Sequence, residues 1–445
     1  MWTRTVRPRK TDLRGSWGRC QLLSGVAILY YIVLAGHVWA DSGVINQTFP
    51  WLGQHGVSLT VQETSEIFGN VSGGVKQGVA FDGLTQADLQ IDSKTFGLPG
   101  GLLNVSGLEN HGKNLSTQNL FVLQTVSNIE ATDGLGLWEL WYDQTWGDVA
   151  SGPRFDIKLG FQSLDQEFAI NSTAAVFVNA GFGWPALFSS DLPGGGPAYP
   201  LSALGIRFRI RPSDQISILA GVFNGHPSFA LAPFNDGALA ITEIQVHFLR
   251  DQPWGGSFKL GTWYQSSNFP DVRFDTQGLS LANPASNGQP RQDAGNFAVY
   301  GLLDDVLWTN PQDSHQTLGL FLRGMGAPSD RNTVDFDGEA GLVLKDPFFT
   351  ESSDSLGLGW SYANMSTAAS GLASDLALYQ GAYNPQPSGE SILEATYLGQ
   401  VLPWLQVQPD AQYVFNPGGG VVNPLSPQER IGNEWVFGLR VTAQL

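Results

Sequence analysis

Cysteine is nearly absent from this chain, since Cys20 is the only one among 445 residues. Disulfide bonds therefore cannot stabilise the fold, which must depend on burial or on backbone hydrogen bonding. Charged residues make up only 14% of the chain, against roughly 25% in a typical soluble protein. The net charge of −17 argues against a nucleic-acid partner, because phosphate binding needs clustered lysine and arginine.

Long apolar runs are also missing beyond residue 40, where no segment approaches the ~18 apolar residues of a membrane-spanning helix. The first 40 residues differ. A cationic stretch leads into an apolar run over 21–36, and Ala40 ends a small-residue cleavage site. We therefore predict a signal peptide over 1–40, a short lead over 41–56 and one domain over 57–445. A retained N-terminal anchor is the alternative, but the apolar run is shorter than the ~20 residues that spanning requires.

The segment 205–211 alternates apolar and cationic side chains without a break. Successive side chains of a β-strand point to opposite faces, so one face is apolar and carries Ile206, Phe208 and Ile210. The other face carries Arg207, Arg209 and Arg211. A soluble sheet could bury the apolar face in a core, whereas a membrane barrel turns it toward lipid and keeps the polar face in a wet channel.

Similar alternation recurs over 155–162, 243–248, 405–413 and 435–445, with clusters of Gly, Pro and Asn between the runs. The composition of residues 57–445 does not shift in a way that would mark a second domain. An exported, charge-poor chain with this pattern predicts an all-β fold, namely a transmembrane antiparallel β-barrel.

Several short segments resemble the carbohydrate-selective porins of the OprB type. They are residues 171–173, 182–186, 194–200, 221–225, 326–332 and 403–410. The resemblance implies an outer-membrane barrel of sixteen antiparallel strands through which sugars diffuse passively, without a cofactor. It also implies outer-membrane lipid and the barrel-assembly machinery as partners, although Leu445 departs from the terminal aromatic residue that this machinery usually meets.

A sugar-selective lumen needs hydrogen-bond donors, acceptors and aromatic surfaces, each weak enough to let the solute leave. Arginine supplies rigid donor forks and carboxylates supply acceptors. The residues that we predict to line the lumen are Arg207, Arg209, Arg211, Glu139, Asp143, Glu243, Asp410 and Trp184. The alternative for each charge is that it solvates the lumen or pairs with a neighbour to brace the wall.

The Gly- and Pro-rich segment 181–200 is long for a hairpin connection. It can fold inward and narrow the pore, with Trp184 or Phe188 facing sugar, or remain a plain extracellular loop. Asp335, Asp337 and Glu339 alternate near Gly338, but their spacing does not match a calcium loop. We therefore predict no metal site.

Enzyme classes fit the sequence poorly. No pair of histidines has the spacing of a zinc hydrolase, and no glycine-rich loop ends in Lys-Ser or Lys-Thr. A secreted β-rich glycoside hydrolase with Glu139 and Asp143 as its carboxylate pair remains an alternative. Four residues of one strand put them ~13 Å apart, beyond the roughly 5–9.5 Å that this chemistry uses. A nonselective structural porin is the third possibility.

Overall fold

The computed structural model describes residues 45, 49–147, 152–229, 234–248, 255–348, 353–381 and 383–445. The predicted signal peptide lies outside these residues. Among the described residues, no helix has the length and apolar character needed to cross a membrane.

Sixteen antiparallel strands close into a barrel, in which β1 pairs with both β2 and β18. The strands run from β1 (Val57–Gly74), β2 (Gly78–Asp92), β3 (Gly101–Gly112), β4 (Gly134–Trp146), β5 (Arg154–Gln162), β6 (Ala203–Ser213), β7 (Ile216–Asn224) and β8 (Ala238–Phe248) through β9 (Gly256–Asp275), β10 (Pro290–Asn310), β11 (Asp313–Gly326), β12 (Val334–Lys345), β13 (Ser355–Met365), β14 (Gly389–Leu402) and β15 (Leu405–Phe415) to β18 (Gly432–Gln444). Strands β16 (Val422–Asn423) and β17 (Ser426–Arg430) form a separate hairpin. The predicted all-β barrel of sixteen strands is confirmed.

The apolar side chains of the strands face outward, as the alternation predicts. On β6, Phe208 and Ile210 are 45% and 49% exposed, while Arg207, the residue before Phe208, is only 1% exposed. Bulky apolar residues repeat this pattern on the other strands, as Phe258 and Leu260 do on β9. A continuous apolar outer surface is what lipid contact requires, so the barrel is built to stand in a membrane.

The two ends of the barrel differ. Two-residue turns such as 214–215 and 311–312 lie at one end, which we call the short-turn mouth, and the long connections 113–133, 163–202 and 366–388 leave from the other. In outer-membrane barrels short turns are periplasmic and long loops extracellular. The helices are α1 (Pro50–Gln54), α2 (Ala180–Gly183), α3 (Ala186–Asp191), α4 (Thr367–Gln380) and α5 (Pro417–Gly420), with shorter helical turns at Ser93–Phe96, Ser116–Leu120, Leu164–Gln166, Thr173–Val176 and Pro193–Gly195.

Two of the long connections, 113–133 and 163–202, pack inside the barrel, and we call them the first and second inner segments. Phe188 of α3 is fully buried against Trp263 and Tyr300 on the inward faces of β9 and β10. In the first inner segment, Leu120 packs with Phe68 of β1. The hydrophobic core of the protein therefore lies inside the barrel, between the wall and these segments.

One part of the outer surface breaks the apolar pattern, and we call it the outer polar patch. It consists of side chains on β1, β2 and β3 that neighbour one another in register: Glu63, Ser65, Thr85, Glu109 and His111. Thr85 and Ser65 donate to the Glu63 carboxylate at 2.5 and 3.0 Å, and a His111 ring nitrogen lies 2.9 Å from Glu109. Apolar side chains flank the patch along the strands, with Ile67 and Phe81 on one side.

Candidate functional site

A cavity of about 540 Å³ lies inside the barrel, between the inner segments and the wall. Strands β1, β2, β4, β14, β15 and β18 contribute one side of it. The wall residues that line it are Gln62, Thr64, Leu84, Gln86, Trp138, Leu398, Gln406, Gln408, Arg440 and Thr442. We call this cavity the neck, because residues of both inner segments narrow the barrel lumen here.

Carboxylates of β14 hold both inner segments through backbone amides. Glu390 accepts the N–H groups of Leu123 and Gln124 at 2.8 and 2.9 Å. Glu394 accepts those of Val178 and Asn179 at 2.7 and 3.0 Å. These bonds satisfy backbone amides that would otherwise lack a partner, which is costly in a buried site. The two glutamates therefore fix the segments at the points where they approach β14.

Other wall carboxylates repeat this arrangement around the barrel. Each accepts a backbone N–H of the second inner segment at 2.8–3.0 Å; the pairs are Glu139 with Ser163, Glu243 with Ala169, Asp304 with Thr173 and Asp337 with Leu187. Arg323 of β11 works in the opposite sense and donates to the carbonyl oxygens of Ala169 and Gly183 at 2.8 and 2.9 Å. Because these carboxylates satisfy otherwise buried amides, the segment is an integral part of the wall.

Arg207 and Arg209 brace the wall instead of lining the neck. Arg207 is buried and forms ion pairs with Asp143, Asp156 and Glu167. Burial alone would raise the pKa of Glu167, but the charges of Lys158 and Arg207 outweigh it and lower that pKa to about 2. Glu167 therefore remains ionised at neutral pH and joins the second inner segment to β5 and β6.

The structure distributes the other predicted lumen residues as follows. Trp184 lines the neck, and its indole N–H donates to Gly195 at 2.8 Å. Asp410 is buried beside Gln412, which donates to it at 2.9 Å, and Glu243 is 1% exposed. The remaining predicted residues do not line the neck. Contact between any of the eight predicted residues and a sugar stays a prediction.

Three charged neck residues were not among those predicted: Glu130, Asp165 and Arg440. Arg440 is ion-paired with Glu66 and donates to Asn128 at 2.6 Å. The sequence could have identified Arg440 as a lumen residue, since it is the one cation in the alternating stretch 435–445. Glu130 and Asp165 lie in irregular segments, where no periodicity marks them.

Burial controls the ionisation of the two neck carboxylates. It raises the pKa of Glu130 to about 7, against a hydrogen bond from the Ser116 amide and with added repulsion from Glu66. Burial also raises the pKa of Asp165, which accepts the Tyr199 amide at 2.8 Å. Glu130 thus changes charge near neutral pH.

Aromatic rings complete the neck. Trp138 and Tyr199 meet edge to face, with ring centroids 6.2 Å apart, and Trp184 lies on the same cavity. The Tyr199 hydroxyl donates to the Ile129 carbonyl at 2.9 Å. The Trp138 indole N–H is buried and has no hydrogen-bond partner within the described part of the chain. The neck therefore presents apolar ring surface together with amide, hydroxyl and indole groups.

Glu139 and Asp143, the carboxylate pair of the hydrolase alternative, both bind other groups of the protein. Glu139 accepts the Ser163 amide and the Trp141 indole N–H at 2.8 and 3.2 Å. Asp143 accepts Arg207 at 2.9 Å. Within the described ranges, no cluster of three or more His, Cys, Asp and Glu side chains is suited to hold a metal ion.

Comparison with known proteins agrees with this architecture. A family model described as "Carbohydrate-selective porin, OprB family" matches residues 76–445. Porin B of Pseudomonas aeruginosa is 23% identical over 365 residues, which cover 75% of this chain and 74% of the relative. A high-pH structure of Pseudomonas putida OprB aligns with a TM-score of 0.80 at 20% identity, covering 92% of this chain and all of the other. A low-pH structure of that protein aligns with a TM-score of 0.57 at 15% identity over the same share of this chain.

Proposed function

The chain belongs to the OprB family of carbohydrate-selective porins, and on that premise we propose that its neck is where sugars are selected during passive diffusion across the outer membrane. The observation that supports this most directly is the closure of a sixteen-stranded barrel to a cavity of about 540 Å³ by segments fixed to its wall. A hexose fits such a space only with its hydroxyls close to the lining. Contacts with the lining can then distinguish one sugar from another solute.

The chemistry of the lining suits a neutral, hydroxyl-rich solute. Gln62, Gln86, Gln406 and Gln408 supply amide donors and acceptors, and Thr64 and Thr442 supply hydroxyls. Trp138, Tyr199 and Trp184 supply aromatic surface for the apolar ring faces. None of these groups holds a full charge, so a sugar can bind weakly and leave.

The predicted lumen residues enter this proposal in two roles. Trp184 contacts the solute. Five of the others act indirectly: Glu139 and Glu243 hold the second inner segment, and Asp143, Arg207 and Arg209 brace the wall beside it. Arg211 lies at the short-turn mouth and takes no part in the neck. Asp410 belongs to the buried polar layer beneath the neck, next to Gln412.

Export and assembly complete the proposed function. Residues 1–40 direct the chain across the inner membrane and are removed, and 41–56 form a short lead in front of β1. Outer-membrane lipid surrounds the apolar outer face, and the barrel-assembly machinery inserts the chain. Transport follows the concentration gradient and needs no cofactor or catalysis.

Single-channel recording in planar bilayers tests the proposal, with glucose, maltose and a charged solute added in turn. We expect stepwise conductance that glucose and maltose reduce in a saturable way. The substitution Trp184→Ala should raise the half-blocking glucose concentration roughly two- to tenfold, since aromatic contacts contribute about 0.5–1.5 kcal/mol.

The matched control is Trp360→Ala, which removes the same side chain from the outer face of β13, where Trp360 is 45% exposed. It should leave block unchanged. Conductance steps that no sugar blocks would favour the nonselective structural porin. A protein that remains soluble without detergent and forms no steps would contradict the channel altogether.

A further inference from the structure

The lumen carries a second charged feature at the short-turn mouth, away from the neck. Arg154 opens β5, and Arg211 lies two residues from the end of β6; the two are direct cross-strand partners. Both face the lumen, because the neighbouring side chains Phe155 and Ile210 are exposed on the outer surface. Like charges directly opposite each other destabilise a sheet.

The next pair of cations toward the neck shows how this repulsion is normally relieved. Lys158 and Arg207 are also direct cross-strand partners, and the Glu167 carboxylate lies between them and pairs with both. Asp143 and Asp156 add their charges to Arg207, and Asp156 also pairs with Arg209. The carboxylates of this region are therefore concentrated around Arg207.

The outermost pair lacks that compensation in the part of the chain that the structure describes. There, no carboxylate lies within ion-pair distance of Arg154 or Arg211, and the Arg154 Nε–H is buried without a hydrogen-bond partner. Arg209 stands close enough to Arg211 to add to the repulsion. In a chain of net charge −17, such a local excess of cations is not a consequence of composition.

We propose that Arg154 and Arg211 form an anion-binding site at the short-turn mouth, which takes solutes carrying a carboxylate or phosphate group, such as acidic sugars. A carboxylate from solution would occupy there the position that Glu167 occupies between Lys158 and Arg207. Two adjacent guanidinium forks match the paired oxygens of a carboxylate or a phosphate. The site adds a second solute class to the neutral sugars of the neck, and it depends only on the lumen-facing geometry of β5 and β6.

Glucose and glucuronate provide a matched pair of solutes, since they differ by one carboxylate. In single-channel recordings, glucuronate should block the wild-type protein at a lower concentration than glucose does, and this advantage should shrink as KCl is raised. In Arg154→Gln/Arg211→Gln the half-blocking glucuronate concentration should rise about tenfold, while that for glucose stays within about twofold.

Further variants and two further anions sharpen the test. Arg154→Lys/Arg211→Lys keeps the charge and should retain most of the preference, and Arg430→Gln, an exposed arginine at the other end, should behave as wild type. If the double Gln variant does not form heat-modifiable barrels, the single variants should each show an intermediate shift. Acetate and inorganic phosphate carry the anionic group without a sugar ring. Block by these anions at the concentration at which glucuronate blocks would show that the site recognises charge alone, whereas weaker block would show that it also contacts the sugar ring.

Absence of glucuronate block in the wild type would overturn the proposal. So would equal shifts for glucose and glucuronate in the double Gln variant, or no shift for either. Loss of glucose block in the wild type would instead contradict sugar selection at the neck, so the two failures can be told apart.

Discussion

At the scale of single residues, the charges of this channel divide into those that hold structure and those that face solute. Alternation in the sequence placed Arg207, Arg209 and Arg211 on the face opposite Phe208 and Ile210, and in the structure Phe208 and Ile210 are exposed while Arg207 is buried. It could not predict that Arg207 is buried, because its partner Glu167 lies in an irregular segment that folds back against β6. A strand pattern gives the face of a side chain, but not whether another part of the chain covers it.

Glu130 leads to a prediction about pH. The pKa of Glu130 is raised to about 7, so it is mostly neutral at pH 6 and mostly charged at pH 8. Glu66, Asp82, Arg440 and Asp165 are the other charged groups around it. One added negative charge ~8 Å from a permeating ion contributes about 0.5 kcal/mol in water, favourable for a cation and unfavourable for an anion. Salt at about 0.1 M screens this by roughly half, so cation over anion permeability should rise roughly twofold from pH 6 to pH 8.

Reversal potentials in a KCl gradient measure this change. Glu130→Gln should weaken the pH dependence and keep the ratio closer to the wild-type value at pH 6. Asp133→Asn, an exposed carboxylate of the same inner segment, should keep the wild-type pH dependence. A wild-type ratio that does not change with pH would show that Glu130 does not face the ion path.

At the scale of elements, the inner segments depend on contacts that no local pattern reveals. The strands could be predicted because a period of two is written into each of them, as in 205–211. One hydrogen bond that fixes the first inner segment joins Leu123 to Glu390, which are 267 residues apart in the chain. The sequence left open whether 181–200 folds inward. The contacts that hold this segment inside use backbone amides, which nearly every residue has, so no residue pattern marks them.

Removal of one of these contacts should loosen the neck. Glu394→Gln keeps the shape of the side chain but replaces one of the two oxygens that accept the Val178 and Asn179 amides with an NH₂ group, which cannot accept. A buried amide left without a hydrogen-bond partner costs about 1–3 kcal/mol. We expect larger and noisier conductance, with weaker discrimination between glucose and maltose, in single-channel recordings.

The matched control is Glu429→Gln on the exposed hairpin β16–β17, which should leave conductance and discrimination unchanged. Glu394→Gln channels as narrow and as selective as the wild type would mean that the other wall contacts suffice to hold the segment.

At the scale of the whole molecule, the outer surface determines how the barrel sits in lipid, and the outer polar patch is the part of that surface least suited to lipid contact. Glu109 remains 42% exposed on that surface. Charged side chains on the lipid face destabilise a barrel by an amount that grows toward the bilayer midplane. The patch departs from the outward apolar pattern that the sequence led us to expect.

Replacement of the charged Glu109 and its partner His111 by apolar residues should therefore stabilise the barrel. Glu109→Leu/His111→Leu removes the pair together, so that neither is left without its partner. We expect a higher midpoint of thermal unfolding in vesicles, followed by the mobility shift of heated samples on gels. Glu429→Leu, at an exposed site on the hairpin, should leave the midpoint unchanged, and a lower midpoint in the double variant would contradict lipid exposure of the patch.

The way in which the wall holds the inner segments has a consequence for how such a channel can diversify. Wall carboxylates bind main-chain amides, which every amino acid except proline provides. Some side chains of the segments, such as Phe188 and Glu167, also attach them to the wall, but the neck-lining Trp184 hydrogen-bonds only within its own segment. Substitutions can therefore change what the pore recognises while its aperture stays fixed, so new solute preferences can evolve, or be engineered, without rebuilding the scaffold.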